Sequence, residues 1–121
     1  MAGLVIYKRG GVYLIDFPLP DNSSAIRKYA LCLQTGPLLE KRDRFVGALL
    51  TTQGLDKKYP WDVLVSAVES RTAGGVRVLL GEIHIVMKEW VVEHAYDLRP
   101  ETMRAVEKAL LVSLGIFPAS P

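Results

Sequence analysis

Two adjacent polar pairs stand where short apolar runs begin or end. Arg27-Lys28 opens the run Tyr29-Ala30-Leu31-Cys32-Leu33-Gln34, and Thr51-Thr52 closes the run from Phe45 to Leu50. A guanidinium or an ammonium offsets the charge of a phosphodiester, and a hydroxyl donates a hydrogen bond to it. A cation and a threonine meeting at neighbouring strand ends is therefore an arrangement that can hold phosphate. The loop Asp21-Asn22-Ser23-Ser24 adds hydroxyls, Gln53 adds an amide, and Lys57 and Lys58 add charge in the loop after it. The plainer reading is a solvated basic edge with ordinary strand-end threonines. Other chemistries lack their residues. There is no P-loop and no dinucleotide-type glycine pattern, and no serine sits in a nucleophile elbow. His84 and His94 are ten apart and the lone Cys32 is far from both, which is not metal-ligand spacing. Each histidine reads as a strand or loop residue, and Cys32 as a core thiol inside an apolar strand.

The elements that must position these groups follow from periodicity. Phe45 to Leu50 is an unbroken run of apolar residues and glycine between charged segments. It is short for a helix and holds Gly47, a poor helix former, so it reads as a strand buried on both faces. Val12-Tyr13-Leu14-Ile15-Asp16-Phe17 is rich in β-branched and aromatic residues and reads as a strand ended by Pro18 and Pro20. Tyr29 to Gln34, Trp61 to Val65 and Val76 to Leu80 read as further strands, with Trp61, Val63 and Val65 on one face. Gly81 is placed for a bulge before Ile83 to Met87 continues extended. Leu38 to Arg44 holds either a short helix or a loop, and Ser66 to Thr72 is ambiguous. Pro100 and Glu101 suit a helix N-terminus, Met103, Val106, Leu110 and Leu114 follow helical spacing, and Gly115 can stop the helix. Five to seven strands followed by one helix imply a mainly β fold with α (α+β): a bent antiparallel sheet or partly open barrel with a helix packed on it.

With 121 residues, half of them apolar, the chain fits one domain over 1–121 with its core at about 5–117. The net charge of +2 neither requires nor excludes a nucleic-acid partner. One cysteine allows no internal disulfide, which points to the cytoplasm. No stretch approaches the roughly 20 apolar residues of a membrane span, so no membrane association is expected.

The motifs in order carry a resemblance. Arg9-Gly10-Gly11-Val12-Tyr13-Leu14-Ile15-Asp16-Phe17, Arg27 to Gln34, Ala48-Leu49-Leu50-Thr51-Thr52-Gln53 with Tyr59-Pro60-Trp61-Asp62-Val63, Leu80 to Lys88, and Leu98 to Gly115 together resemble the MazF/PemK toxins of type II toxin–antitoxin systems. The resemblance implies an SH3-like small barrel of antiparallel strands with a C-terminal helix, and a homodimer with single-stranded RNA (mRNA) bound across it. A cognate antitoxin would cover the same groove. It implies sequence-preferring cleavage of RNA without metal or cofactor, by attack of the ribose 2′-hydroxyl and through a 2′,3′-cyclic phosphate. On this chain the catalytic threonine becomes Thr51. The catalytic cation becomes Arg27 or Lys28, with Arg27 preferred if the strand begins with a bulge. Ser23, Ser24, Gln53, Lys57, Lys58, Glu82 and His84 fall where RNA would be bound.

Several positions depart from the family pattern. Gly11 stands where an acidic residue is common, and Gly81, His84 and Met87 stand where the late strand often has acidic, arginine and acidic residues. These departures motivate an alternative, a barrel without strong catalysis that binds RNA or protein. A topoisomerase-poisoning barrel toxin of the CcdB kind is a third possibility, suggested by fold analogy alone.

Overall fold

The structure, a computed structural model, describes residues 4–21 and 24–118. Along β3 (Arg44–Thr51), Phe45 and Leu49 alternate with Ala48 and Leu50, so the two sets face opposite sides of the sheet. Both sides are covered. Ala48 and Leu50 join Val12, Leu31, Val63, Val78, Val106 and Ala109 in one core. Phe45 and Leu49 join Tyr13, Ile15, Ala30, Cys32, Leu39 and Val86 in a second. Neither face is exposed to water, which is why the run carries no polar side chain before Thr51.

β3 pairs with β2 (Ala25–Cys32) on one edge and β5 (Val76–Met87) on the other. With β1 (Gly11–Pro18), β4 (Asp62–Val65) and β6 (Val91–Asp97) they form one antiparallel six-stranded sheet in the order β4-β5-β3-β2-β1-β6. The outer strands β4 and β6 do not pair with each other, so the sheet is open where the sequence suggested a small barrel. Helices α1 (Pro37–Glu40), α2 (Ala67–Ser70) and α3 (Pro100–Ser113) complete the fold, with a 3-10 turn at Lys88–Trp90. The mainly β architecture with a C-terminal helix is as expected. No described helix is long and apolar enough to cross a membrane.

Local differences have local causes. β2 starts at Ala25 rather than Tyr29, because its charged residues belong to a hairpin with β1 that is paired from Pro18/Ala25 to Val12/Leu31. It stops at Cys32, yet the chain stays tied to β3. Leu33 N–H donates to the Val46 carbonyl at 3.0 Å, and Val46 N–H donates to Gln34 Oε1 at 2.9 Å. Ser66 to Thr72 contains α2, whose first turn is capped by Ser66 Oγ accepting from Glu69 N–H at 3.2 Å. β6 was not foreseen. It is an edge strand with two register shifts against β1, and such breaks erase the alternation by which strands are read. Leu79 to Glu82 lie opposite Leu49 alone, so the expected bulge includes Gly81.

α3 covers the first core with Val106 and Ala109, flanked by Met103 and Leu110, whereas Leu114 is exposed. Gly115 ends it with φ 75°, a left-handed conformation suited to glycine. Its first residue is Pro100, and its N-terminus is capped from outside. Glu69 accepts Arg99 N–H at 2.8 Å through one oxygen and the Thr102 hydroxyl at 2.8 Å through the other. A carboxylate there satisfies otherwise unpaired donors and complements the helix dipole. Glu69→Ala should lower unfolding free energy by about 1–2 kcal/mol in urea titrations, and Glu69→Gln by less. Equal stability of Glu69→Ala and wild type would remove the cap from the account.

Tyr13 is fully buried; its hydroxyl donates to the Ile6 carbonyl and accepts from Lys8 N–H, both at 2.9 Å. These bonds hold residues 6–8 against β1. Burial pushes the phenols of Tyr13 and Tyr96 up to about 12, whereas unfolded tyrosine titrates near 10. The folded chain thus holds these protons more tightly. That stabilisation is complete below about pH 10 and is lost as pH rises through about 12. Urea midpoints should therefore stay level up to about pH 10 as far as these groups are concerned and fall above it, with the fall reduced in Tyr13→Phe measured against its own neutral-pH value.

Candidate functional site

Register decides which side chains share a face with Thr51. Thr51 follows Leu49 in the alternation, so it lies on the side of the second core, at the point where that core gives way to the surface. Its hydroxyl oxygen accepts Gln53 N–H at 3.1 Å, which fixes the oxygen and leaves the hydroxyl proton free to donate. Thr52, next along, alternates to the other side, and Gln53 is exposed.

The β1–β2 pairing runs without a bulge, and this separates Arg27 from Lys28. Arg27 is opposite Asp16 and ion-pairs with it at 3.1 Å, both side chains being well exposed. Lys28 is opposite Ile15, a member of the second core, and therefore lies on the Thr51 side. The last β2–β3 pair is Tyr29 with Leu50. One further step in that register sets Lys28 across from Thr51. Lys28 is half-buried and its ammonium has no ion-pair partner among the described residues.

The other sequence-derived residues divide. Ser23 lies outside the described residues. Ser24 is exposed and its carbonyl accepts Leu19 N–H at 3.1 Å, closing the β1–β2 loop. Lys57 and Lys58 line a groove of about 450 Å³ between the β3–β4 loop and α3, facing Lys108 and Val112. Glu82 and His84 line a different depression, of about 340 Å³, with Leu49, Leu79, Trp61 and Tyr59. His84 is opposite Gly47, four residues from Thr51 and so about 13 Å along the strand. Its ring meets Phe17 edge-on at 5.7 Å. The structure thus gathers Thr51 and Lys28, places Glu82 and His84 further along the same side, and puts Lys57 and Lys58 in a separate groove.

One pair was missed. Arg77 is the β5 partner of Thr51, and its Nη1 contacts Asp62 Oδ2 at 3.2 Å; the two side chains are only 12% and 7% exposed. Arg77 Nε is buried without a hydrogen-bond partner. Burial raises the Asp62 pKa, outweighing the attraction of Arg77 and a hydrogen bond from the Leu80 backbone. The only sequence signal was a single arginine inside an apolar strand; its partner lies fifteen positions away and is brought near by the β4-β5-β3 order. Among the described residues no group of three or more His, Cys, Asp or Glu side chains could hold a metal ion. Cys32 is buried, and its thiol, pushed up by that burial, points to the Gln34 carbonyl at 3.4 Å.

A family described as PemK-like, MazF-like toxin of type II toxin–antitoxin system matches residues 8–114, nearly the whole chain. The chain belongs to this family. The fold agrees with those of solved structures. An endoribonuclease in complex with its cognate antitoxin, from a mycobacterial species, superposes with TM-score 0.75 at 22% identity, over 93% of this chain and 98% of that one. A MazE–MazF structure from Deinococcus radiodurans superposes with TM-score 0.74 at 19% identity, over 90% and 96%. The Mycobacterium tuberculosis toxin MazF-mt6 superposes with TM-score 0.67 at 14% identity, over 85% and 96%. No curated protein sequence matches the chain.

Removing one member of a buried ion pair leaves the other charge without compensation. Arg77→Met should therefore destabilise the fold by about 3 kcal/mol in urea titrations at neutral pH. Replacing Asp62 with Leu in the same chain should recover part of that loss. If Arg77→Met is as stable as wild type, the pair contributes nothing to the fold.

Proposed function

We propose that the protein is a toxin endoribonuclease that cleaves single-stranded RNA at preferred sequences without a metal, and that an antitoxin neutralises it. The observation carrying this reading is the convergence of Thr51 and Lys28 on one side of the sheet, at the strand ends where a member of this family would hold phosphate. In the reaction the ribose 2′-oxygen attacks the adjacent phosphorus and the bond from phosphorus to the 5′-oxygen breaks. The 2′-hydroxyl proton is lost to a base, and the leaving 5′-oxygen gains a proton. The products are a 2′,3′-cyclic phosphate and a 5′-hydroxyl.

Charge accumulates on the non-bridging oxygens as the fifth bond forms. Thr51 Oγ is oriented by Gln53 N–H and donates its proton to one of these oxygens. Lys28, on the same side of the sheet one register step beyond the Tyr29–Leu50 pair, supplies an ammonium that offsets the added charge. Arg27 is turned to the other side and held by Asp16, so Lys28 rather than Arg27 is assigned the cationic role. Gln53 and Ser24, both exposed near this end, and Glu82 and His84 further along suit contacts to the rest of the RNA. Lys57 and Lys58, in the separate groove beside α3, add positive charge for a longer stretch of RNA, and an antitoxin partner is in keeping with similar structures that hold one. A homodimer is part of the same reading.

Purified protein should cleave a mixed single-stranded RNA in the presence of chelator and leave 2′,3′-cyclic ends at one short motif. Thr51→Ala should lower the cleavage rate about 100-fold, and Lys28→Ala by a comparable factor. Arg27→Ala should change it less than about threefold. RNA left intact by wild type, or cut equally by Thr51→Ala, overturns the reading. Loss in Arg27→Ala with Lys28→Ala unaffected overturns the assignment of the cation.

A further inference from the structure

The depression beside β3 has an aromatic wall that the catalytic groups do not use. Tyr59 and Trp61 are stacked, with ring centroids 5.1 Å apart and planes only 7° from parallel. Both remain accessible, at 42% and 39%. Their exposure alone is ordinary; what sets them apart is that they are stacked together along one cavity. The pair stands over a floor made by Leu49 and Leu79, and Glu82 and His84 complete the rim. Leu49 is two residues before Thr51 on the same side of β3, about 7 Å away. A group in the depression is therefore a near neighbour of a phosphate held at Thr51.

The wall depends on a glycine. A Cβ added to Gly81 would come within 2.9 Å of Trp61 Cδ1 and 3.3 Å of its Nε1. Only a residue without a side chain lets the indole lie where it does. In this chain, then, a flat apolar ring occupies the space next to the backbone of residue 81. A carboxylate there would repel phosphate, and an indole offers a stacking face. Trp61 is held there by position rather than by pairing, since it precedes β4 in a turn and does not join Val63 and Val65 in the core.

We propose that the Tyr59–Trp61 wall is a stacking subsite for one nucleobase of single-stranded RNA, the base next to the phosphate held at Thr51. This rests on the reading of the protein as an RNA-cleaving toxin. The size of the depression, about 340 Å³, suits a single planar ring system with its edge toward Glu82. Stacking on aromatic side chains is the usual way a protein binds an unpaired base, and every base has a face to offer. The carboxylate of Glu82 at the rim accepts a hydrogen bond from a base carrying an exocyclic amine and has nothing to give to a carbonyl edge.

Indole fluorescence tests this directly. The chain has two tryptophans, so Trp90→Phe leaves Trp61 as the only one. That variant is titrated with six-nucleotide oligodeoxynucleotides of each single base, which lack the attacking 2′-hydroxyl and cannot be cut. Emission should fall at least twofold at saturation, and adenine or cytosine should bind tighter than thymine. Trp61→Ala should weaken binding about 10-fold, Trp61→Phe less than about threefold, and Gly81→Ala should reduce binding by displacing the indole. Melting curves confirm that each variant is folded. Binding with unchanged Trp61 emission, undiminished binding by folded Trp61→Ala, or no binding by any oligonucleotide overturns the subsite. RNA cleaved by wild type with no quenching sinks the subsite alone, whereas quenching without cleavage keeps the subsite and sinks the nuclease reading.

Discussion

Burial of β3 on both faces is the constraint on which the other placements depend. A strand with a core on each side cannot slip by one residue without exchanging its two apolar sets, and a strand paired on both edges cannot shift at all without breaking two ladders. Phe45 and Leu49 on one side and Ala48 and Leu50 on the other therefore fix the direction of Thr51. The same register, carried into β2 and then β1, fixes Lys28 on the side of Thr51 and Arg27 on the side of Asp16. Two adjacent cations, nearly equivalent as letters, are separated by the thickness of the sheet. What a side chain can do here is settled by parity more than by its own chemistry.

The C-terminal end of β3 also shows how a rigid scaffold ends in an oriented hydroxyl. Within the strand, the ladders with β2 and β5, together with the Leu33 backbone and the Gln34 side chain at Val46, engage the backbone. At Thr51 the ladder gives way, and the side chain itself accepts the next available N–H, that of Gln53. The hydroxyl is thereby oriented by the chain that carries it. On the neighbouring strand, Arg77 is held in place by Asp62 under little solvent, where an ion pair is worth much only while both partners are present. The end of one strand and the buried pair of the next lie side by side. One is free to meet a ligand and the other keeps the backbone beneath it in place.

How far the fold could be read from the letters depended on how each segment is solvated. β3 was legible because two-sided burial demands an uninterrupted apolar run, and Thr51 was legible as the first hydroxyl past its end. α3 was legible from spacing and from Pro100 and Gly115. β6 was not, because Val91 to Asp97 sits at the sheet edge with Val92, Glu93 and His94 all accessible, and its shifts against β1 destroy period two. The start of β2 was misplaced for a related reason: charged residues in a hairpin arm read as loop. The choice between Arg27 and Lys28 needed the absence of a bulge, which no composition reveals. Arg77 and Asp62 needed the strand pairing itself, since the two meet only because β4 pairs with β5. Trp61 was expected to point with Val63 and Val65, but it leaves the strand to lie against Gly81.

That contact ties two positions into one heritable unit. A mutation giving residue 81 any side chain evicts the indole, and a mutation shrinking residue 61 leaves bare backbone at the bulge. Either change alone spoils the wall, so the two positions constrain each other. Relatives that keep tryptophan at the position of Trp61 should keep glycine against it. A library in which these two codons vary together would sample working rims far more often than one in which they vary separately.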